Sequence, residues 1–355
     1  MRTWVEISTE NLKYNIKKLK EISKEKKILG VIKANGYGLG VIEIAKVLEN
    51  VGIDFFGVAT LNEAIEVQEK NISGDILILS ALFNEEIEEA TKRGFQINIS
   101  TLQQLQFLKK NKLNTKIHLK VDTGMTRLGF SLEEIEKAVN FCRENKLNLV
   151  GIFSHLSVAD VEDEESKKYT LEQINKFKNV LNLYDFKYTH ISNSAGLINY
   201  SNKIVGNTVR IGIAMYGFMN NKKIKNFKNV FTLKSRVLFI KEVKEEAFVS
   251  YGRNFKLGKD DKYAVIPLGY YDGLKKYLSK GSYMEIAGEK CEIIGNICMD
   301  MTMIRIPNNI KDKINIGDEV KILDMEILNS LNIPELCVWS IMTGLGRRVE
   351  RYFID

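Results

Sequence analysis

The stretch V-I-K-A-N-G-Y-G-L-G places Lys33 at the end of an apolar run, followed at once by small residues and Tyr37. A lysine held at the mouth of a buried strand loses hydration, which lowers its pKa and frees its amine to form a Schiff base with a carbonyl partner. Gly36, Gly38 and Gly40 let the chain turn sharply where a ligand approaches the backbone. The decapeptide alone is equally compatible with a lysine that snorkels out of a strand end. Further polar groups stand where later apolar runs stop. Arg127 follows K-I-H-L-K-V-D, His155 ends L-V-G-I-F-S-H, and His190, Asn193 and Ser194 close K-Y-T-H-I-S-N-S. Arg210 stands ahead of I-G-I-A-M-Y-G, and His118, inside its run, is expected to be structural.

These residues need elements that bring them together. From residue 28 to about residue 215, short β-rich runs alternate with amphipathic segments such as V-I-E-I-A-K-V-L-E-N and L-E-E-I-E-K-A-V-N-F-C-R. The runs are K-I-L-G-V-I-K, F-F-G-V-A-T, D-I-L-I-L-S, F-Q-I-N-I-S, K-I-H-L-K-V-D, L-V-G-I-F-S-H, K-Y-T-H-I-S-N and T-V-R-I-G-I-A. About eight such units predict an α/β fold with a (β/α)8 TIM-type barrel, since a doubly wound sheet rarely runs to eight. Barrel sites lie at the carboxyl ends of the strands, so the strand-end polar groups are expected to converge at one rim. After about Asn226 the texture changes to short alternating runs with turn signals, among them S-Y-M-E-I-A-G and C-E-I-I-G-N-I-C-M-D. The expected division is a barrel over residues 1–230 and a smaller C-terminal β domain over residues 231–355.

Bulk properties narrow the function classes. Hydrophobic residues make up 45% and charged residues 27%, ordinary values for a globular enzyme. The formal net charge of +7 is spread along the chain without a basic tail, which argues against nucleic acid and suits anionic small molecules. Four cysteines form no C-x-x-C pair and there are three histidines, so no metal site is expected. No apolar run approaches the roughly 20 residues needed to span a bilayer, and the amino end lacks an apolar h-region; no membrane partner and a cytoplasmic location are expected.

K-A-N-G-Y-G, H-L-K-V-D-T-G-M-T-R-L-G, S-N-S-A, V-R-I-G-I-A-M-Y-G, V-S-Y-G, I-P-L-G-Y-Y-D-G and G-N-I-C-M-D occur in this order. Together they resemble the alanine racemase family of pyridoxal-phosphate enzymes over nearly the whole chain. The resemblance implies interconversion of L- and D-alanine, D-alanine supply for peptidoglycan, and pyridoxal 5'-phosphate bound as a Schiff base to Lys33. It further implies that Tyr37, Ser194 and the backbone amides of Gly212 and Ile213 cradle the phosphate, with His155 and Asn193 beside the cofactor. Arg210 would face the pyridine nitrogen; a guanidinium can only donate there, making the ring a weaker electron sink than one paired with a carboxylate. Lys33 and Tyr251 would serve the two faces of Cα. A tyrosine phenol ionises near pH 10 and needs cationic help to act as a base, which His155 would relay from Arg210. Without the resemblance Tyr251 reads as a strand aromatic. Arg127 and the Met299 backbone amide would take the substrate carboxylate, and Lys120 matches a lysine that is carbamylated in some members. Asp300, Tyr270 and Asp272 match the entrance region, and the family arrangement is a homodimer with shared active sites.

Several positions depart from the family pattern. Gly36 replaces a frequent alanine, Leu39 a frequent histidine and Tyr271 a usual alanine, while Arg347 lies near a position where some members have tyrosine. These changes leave substrate size open, and a serine or broader-specificity racemase is the nearest alternative. A barrel-type amino-acid decarboxylase also begins Lys-Ala-Asn, but it would need an acidic partner for the ring nitrogen and a Cys-Glu-Ser element. Arg210 and Cys298-Met299-Asp300 stand there instead. A cofactor carrier built from the barrel alone would have no use for residues 231–355.

Overall fold

The structure, a computed structural model, describes residues 1–219, 222–333 and 336–355. After β1 (Thr3–Ser8), the eight apolar runs form β2 (Lys27–Val31), β3 (Phe55–Val58), β4 (Asp75–Ile78), β5 (Gln96–Ile99), β6 (Ile117–Lys120), β7 (Leu149–Phe153), β8 (Tyr188–His190) and β9 (Thr208–Ile211). Strands β2 to β8 pair in parallel in chain order, and β9 returns to pair with β2, giving a nearly closed barrel. Helices Val41–Asn50, Leu61–Glu69, Asn84–Lys92, Leu102–Lys110, Ile135–Glu144 and Glu164–Leu181 link successive strands. Parallel strands require such crossovers, and the apolar faces of the helices cover the sheet.

Side chains alternate across a strand with period two, so Gln96, Asn98, His118, Lys120, His190 and Arg210 share one face of their strands while Ile97, Leu119 and Ile211 share the other. Both sets are buried. Most of the polar set is tolerated because its members bond to one another and to backbone carbonyls; Asn98, for example, donates to the Leu79 carbonyl at 3.1 Å, while Lys120 lies over the Phe153 ring.

Among the described residues, two compact units are distinguished: Lys13–Gly36 with Gly40–Met215, which is the barrel, and Met1–Leu12, Tyr37–Leu39 and Tyr216–Asp355. This differs from the expected division at residue 230. Residues 1–12 and 216–230 belong with the second unit, because β1 pairs antiparallel with Phe231–Arg236 and parallel with Glu350–Ile354. Those pairings bury Trp4, Val5 and Ile7. The second unit is built on a nine-stranded sheet, antiparallel except for the β1 edge pairing. It also contains helices Met325–Ser330 and Val338–Thr343, which the alternating texture did not announce. No helix among the described residues is long and apolar enough to cross a membrane.

Within the second unit Gly38 has φ +87°, and a Cβ added there would lie 2.0 Å from the Met342 carbonyl oxygen. Gly94 in the barrel has φ +79° but open space around it. Gly38→Ala is therefore expected to cost roughly 3 kcal/mol or more of unfolding free energy, and Gly94→Ala about 1 kcal/mol. Urea unfolding of the two variants checks this; equal losses would contradict the close approach at Gly38.

Candidate active site

Lys33 follows β2 and begins a left-handed turn in which Ala34, Asn35, Gly36 and Tyr37 all have φ between 54° and 61°. For residues with a Cβ this conformation costs on the order of 1 kcal/mol each, less for asparagine. Neighbours hold it: Gly36 N–H donates to the Ile32 carbonyl, Gly40 N–H to the Asn35 carbonyl, and Val41 N–H to Asn35 Oδ1, all at 2.9 Å. The half-buried Lys33 amine has its pKa lowered, first by burial and then by Arg127 and Arg210, while Glu63 opposes the fall. A larger fraction of the amine is thus unprotonated at neutral pH.

Arg210, in β9, is buried among backbone carbonyls and imidazoles. Its Nη1 donates to His190 Nδ1 at 2.8 Å and to the His190 carbonyl at 3.1 Å. Its Nη2 donates to the Ser154 carbonyl at 2.9 Å, the Ile191 carbonyl at 3.0 Å and His155 Nδ1 at 3.0 Å. Among the described residues no group accepts from Nε–H. Burial and the Arg127 charge press the Arg210 pKa down to about 9, which keeps it charged at neutral pH.

A guanidinium has no acceptor, so the histidine tautomers follow from it. His155 and His190 must accept at Nδ1 and carry their protons on Nε2. His190 Nε2–H then donates to His118 Nδ1 at 3.2 Å, and His118 Nε2–H to Gln96 Oε1 at 2.7 Å. All three rings are held neutral: burial drops His118 to about 3, and burial followed by the Arg210 charge lowers His155 and His190 well below the usual range. His118 is therefore part of the support for Arg210 as well as of the core. The alternation I-H-L-K, which sets His118 on the same face as Lys120, was the available signal. Gly151 leaves room for the His118 ring, since a Cβ there would lie 2.3 Å from Nδ1.

Lys120 is buried with its ammonium nitrogen 4.6 Å from the Phe153 ring centre. Burial, then Arg210 and Arg127, lowers its pKa well below the ordinary lysine value. Arg127 lies in the loop after β6, exposed, with no hydrogen bond or ion pair to any described residue, and its charge reaches Lys33, Lys120 and Arg210. Ser194 opens the helix Ser194–Tyr200, and its Oγ accepts from Gly212 N–H at 3.1 Å and Ala214 N–H at 3.3 Å. Ile213 follows Gly212 in the turn after β9. Asn193 is the N-cap of that helix: Oδ1 accepts from Gly196 N–H at 2.9 Å and Nδ2 donates to the Leu156 carbonyl at 3.2 Å, so its side chain is occupied structurally. The barrel rim thus gathers Lys33, Lys120, Arg127, His155, Ser194 and Arg210.

The remaining expected residues lie in the second unit. The Tyr37 ring centre is 5.6 Å from that of Tyr216, and burial pushes the Tyr37 pKa up to about 12, so the phenol stays protonated and can donate. Tyr251 sits in a short 3-10 turn rather than a strand, after Ser250 at φ 64°, with 75% of its surface exposed. Asn296 fixes this turn by donating to the Tyr251 carbonyl at 2.7 Å. Met299 is 51% exposed. Asp272 is buried and accepts from Gly269 N–H at 2.9 Å and Arg348 Nε at 2.7 Å, while Arg348 Nη2 reaches Asp300 at 2.7 Å.

Comparison with known proteins agrees along the whole chain. Residues 7–220 match the family described as alanine racemase, N-terminal domain, and residues 230–353 the one described as alanine racemase, C-terminal domain. A curated protein of Fusobacterium nucleatum subsp. nucleatum named alanine racemase is 60% identical over 354 residues, covering 100% of each chain. The crystal structure of alanine racemase from E. faecalis superposes with a TM-score of 0.91 at 29% identity, covering 99% of this chain and 98% of that one. An alanine racemase structure from Clostridium difficile 630 gives 0.88 at 29% identity, covering 100% and 96%.

Proposed function

The chain belongs to the alanine racemase family, and we propose that it interconverts L- and D-alanine at the barrel rim with pyridoxal 5'-phosphate held by Lys33. Arg210 carries this reading. Its Nη atoms are engaged by the protein while, among the described residues, none accepts from Nε–H, which suits a ring nitrogen that can accept a hydrogen bond. The other groups fit the same cofactor: an amine with a lowered pKa for its carbonyl carbon, and Ser194, the turn at Gly212 and Ile213, and the Tyr37 phenol for its phosphate. When bound, the cofactor supplies an electron sink that makes the substrate Cα proton removable.

The chain's own groups do the rest. Arg127 presents an unpaired donor fork that matches a carboxylate, with the Met299 backbone amide as its complement. Lys33 Nζ takes or returns the Cα proton on one face, and Tyr251 Oη does so on the other. Because His155 accepts from Arg210, it offers Nε2–H outward, a donor that can stabilise a phenolate. Arg210 holds its proton throughout. The lowered pKa of Lys120 favours its free amine, which suits carbamate formation, and the carbamate would be an anion acting on both Arg127 and Arg210. The exposure of Tyr251 and Met299 supports a homodimer in which one copy delivers them to the rim of the other.

The full-length protein loaded with pyridoxal phosphate is expected to interconvert the alanine enantiomers in heavy water, with deuterium entering at Cα. Turnover of serine should be lower by roughly 10-fold or more, the discrimination a small apolar pocket can give. A serine preference would replace the substrate assignment, and carbon dioxide release in place of inversion would replace the reaction.

A further inference from the structure

We propose that Glu63 is a positioning residue for Lys33: its carboxylate pins the left-handed turn that follows the lysine and sets an anion against the cations around the amine. The proposal rests on Lys33 being the reactive amine. Glu63 lies in the first turn of helix Leu61–Glu69, where an acidic side chain ordinarily folds back onto its own cap. The Thr60 hydroxyl takes the Glu63 N–H at 3.3 Å, and Glu63 Oε2 accepts from Ala59 N–H at 2.7 Å, which completes the cap. Oε1 has a different partner. It accepts from Ala34 N–H at 2.8 Å, across 29 residues of sequence.

That partner is the residue directly after Lys33 and the first of the left-handed turn. Gly36, Asn35 and their partners secure the later part of the turn; the peptide joining Lys33 to Ala34 is secured by Glu63. Strained backbone persists where its surroundings over-determine it, and a charge-assisted bond at the first strained residue does this beside the amine. The charges facing Lys33 are Arg127 from the loop after β6, Arg210 from β9 and Glu63 from its helix, with neutral His155 after β7. Glu63 opposes the two arginines, so the Lys33 pKa falls less than burial and the arginines alone would bring it down.

The test uses full-length protein stripped of cofactor with hydroxylamine. Trace acylation of Lys33 across pH, read by peptide mass spectrometry, gives the titration midpoint of its amine, and absorbance gives the affinity for pyridoxal phosphate. In Glu63→Gln the midpoint is expected to fall by about one pH unit and the affinity roughly tenfold. Thr60→Ala weakens the same cap without touching Ala34 and should leave both within about twofold. A midpoint that stays or rises in Glu63→Gln, or equal changes in Thr60→Ala, would overturn the proposal. If Glu63→Gln does not fold, Glu63→Asp decides: it keeps the charge but cannot span both amides, so affinity should fall while the midpoint holds, and unchanged affinity counts against the role. Borohydride trapping in unaltered protein separates the two claims, because cofactor attached to another lysine would remove the Lys33 assignment while the acylation midpoint still reports on Glu63.

Discussion

Lys33→Ala protein is expected to lose alanine racemisation by roughly four orders of magnitude or more, because the group proposed to attach the cofactor and to serve one face of Cα is gone. The loss should come with a second signature. Unaltered protein mixed with pyridoxal phosphate and then reduced with borohydride should yield a single modified peptide containing Lys33, while the variant yields none. The barrel makes this expectation specific. Lys120 is the nearest chemical rival, also with a lowered pKa, yet it is more deeply buried than Lys33 and its amine lies over the Phe153 ring. A variant that still carried a reducible adduct at this site would mean that another lysine, Lys120 first among them, is the attachment point. Retention of racemase activity in Lys33→Ala would remove the two-face scheme altogether.

The second large effect concerns assembly. Neither Lys33→Ala nor Tyr251→Phe chains alone should be active, since each lacks the group proposed for one face. Mixed under conditions that exchange subunits, they are expected to regain activity. If Tyr251 acts on its partner's rim, a heterodimer has one site with both defects and one site with none, so it should show about half the activity of native dimer per molecule. If Tyr251 served its own chain, every site would keep one defect and mixing would restore nothing. That result would refute the shared site even for a protein that sediments as a dimer. The 75% exposure of Tyr251 is the structural reason to expect recovery, because a phenol used within its own chain would gain from burial beside its partners.

Much of the catalytic half was legible before folding, for local reasons. Each barrel strand is a short apolar run bounded by polar punctuation, so all eight could be counted from periodicity and composition. Once the barrel is inferred, the rule that rims collect strand-end residues places Lys33, His155 and Arg210 together with no three-dimensional information. Free of tertiary context, however, the four residues after Lys33 do not announce a continuous left-handed run. Asparagine and glycine tolerate it but alanine and tyrosine do not, and the run exists because Glu63, Ile32 and Val41 hold it.

What the sequence determined by itself was therefore the order of elements, the barrel and the placing of Lys33 at the end of a barrel strand. Tertiary structure decided the properties that arise only between distant segments. The β1 run alternates plainly, but its membership in the second unit depends on partners more than 200 residues away. His118 looked like a core histidine because its neighbours in sequence are apolar; its bonding through His190 to Arg210 comes from three strands closing round one interior. The tautomers follow in turn from Arg210 being a pure donor, and the lowered pKa values of Lys33 and Lys120 follow from burial beside arginines that the chain brings in from elsewhere. Periodicity is a property of neighbouring residues, whereas electrostatic coupling depends on distance in space, and that distance is set only when the barrel closes.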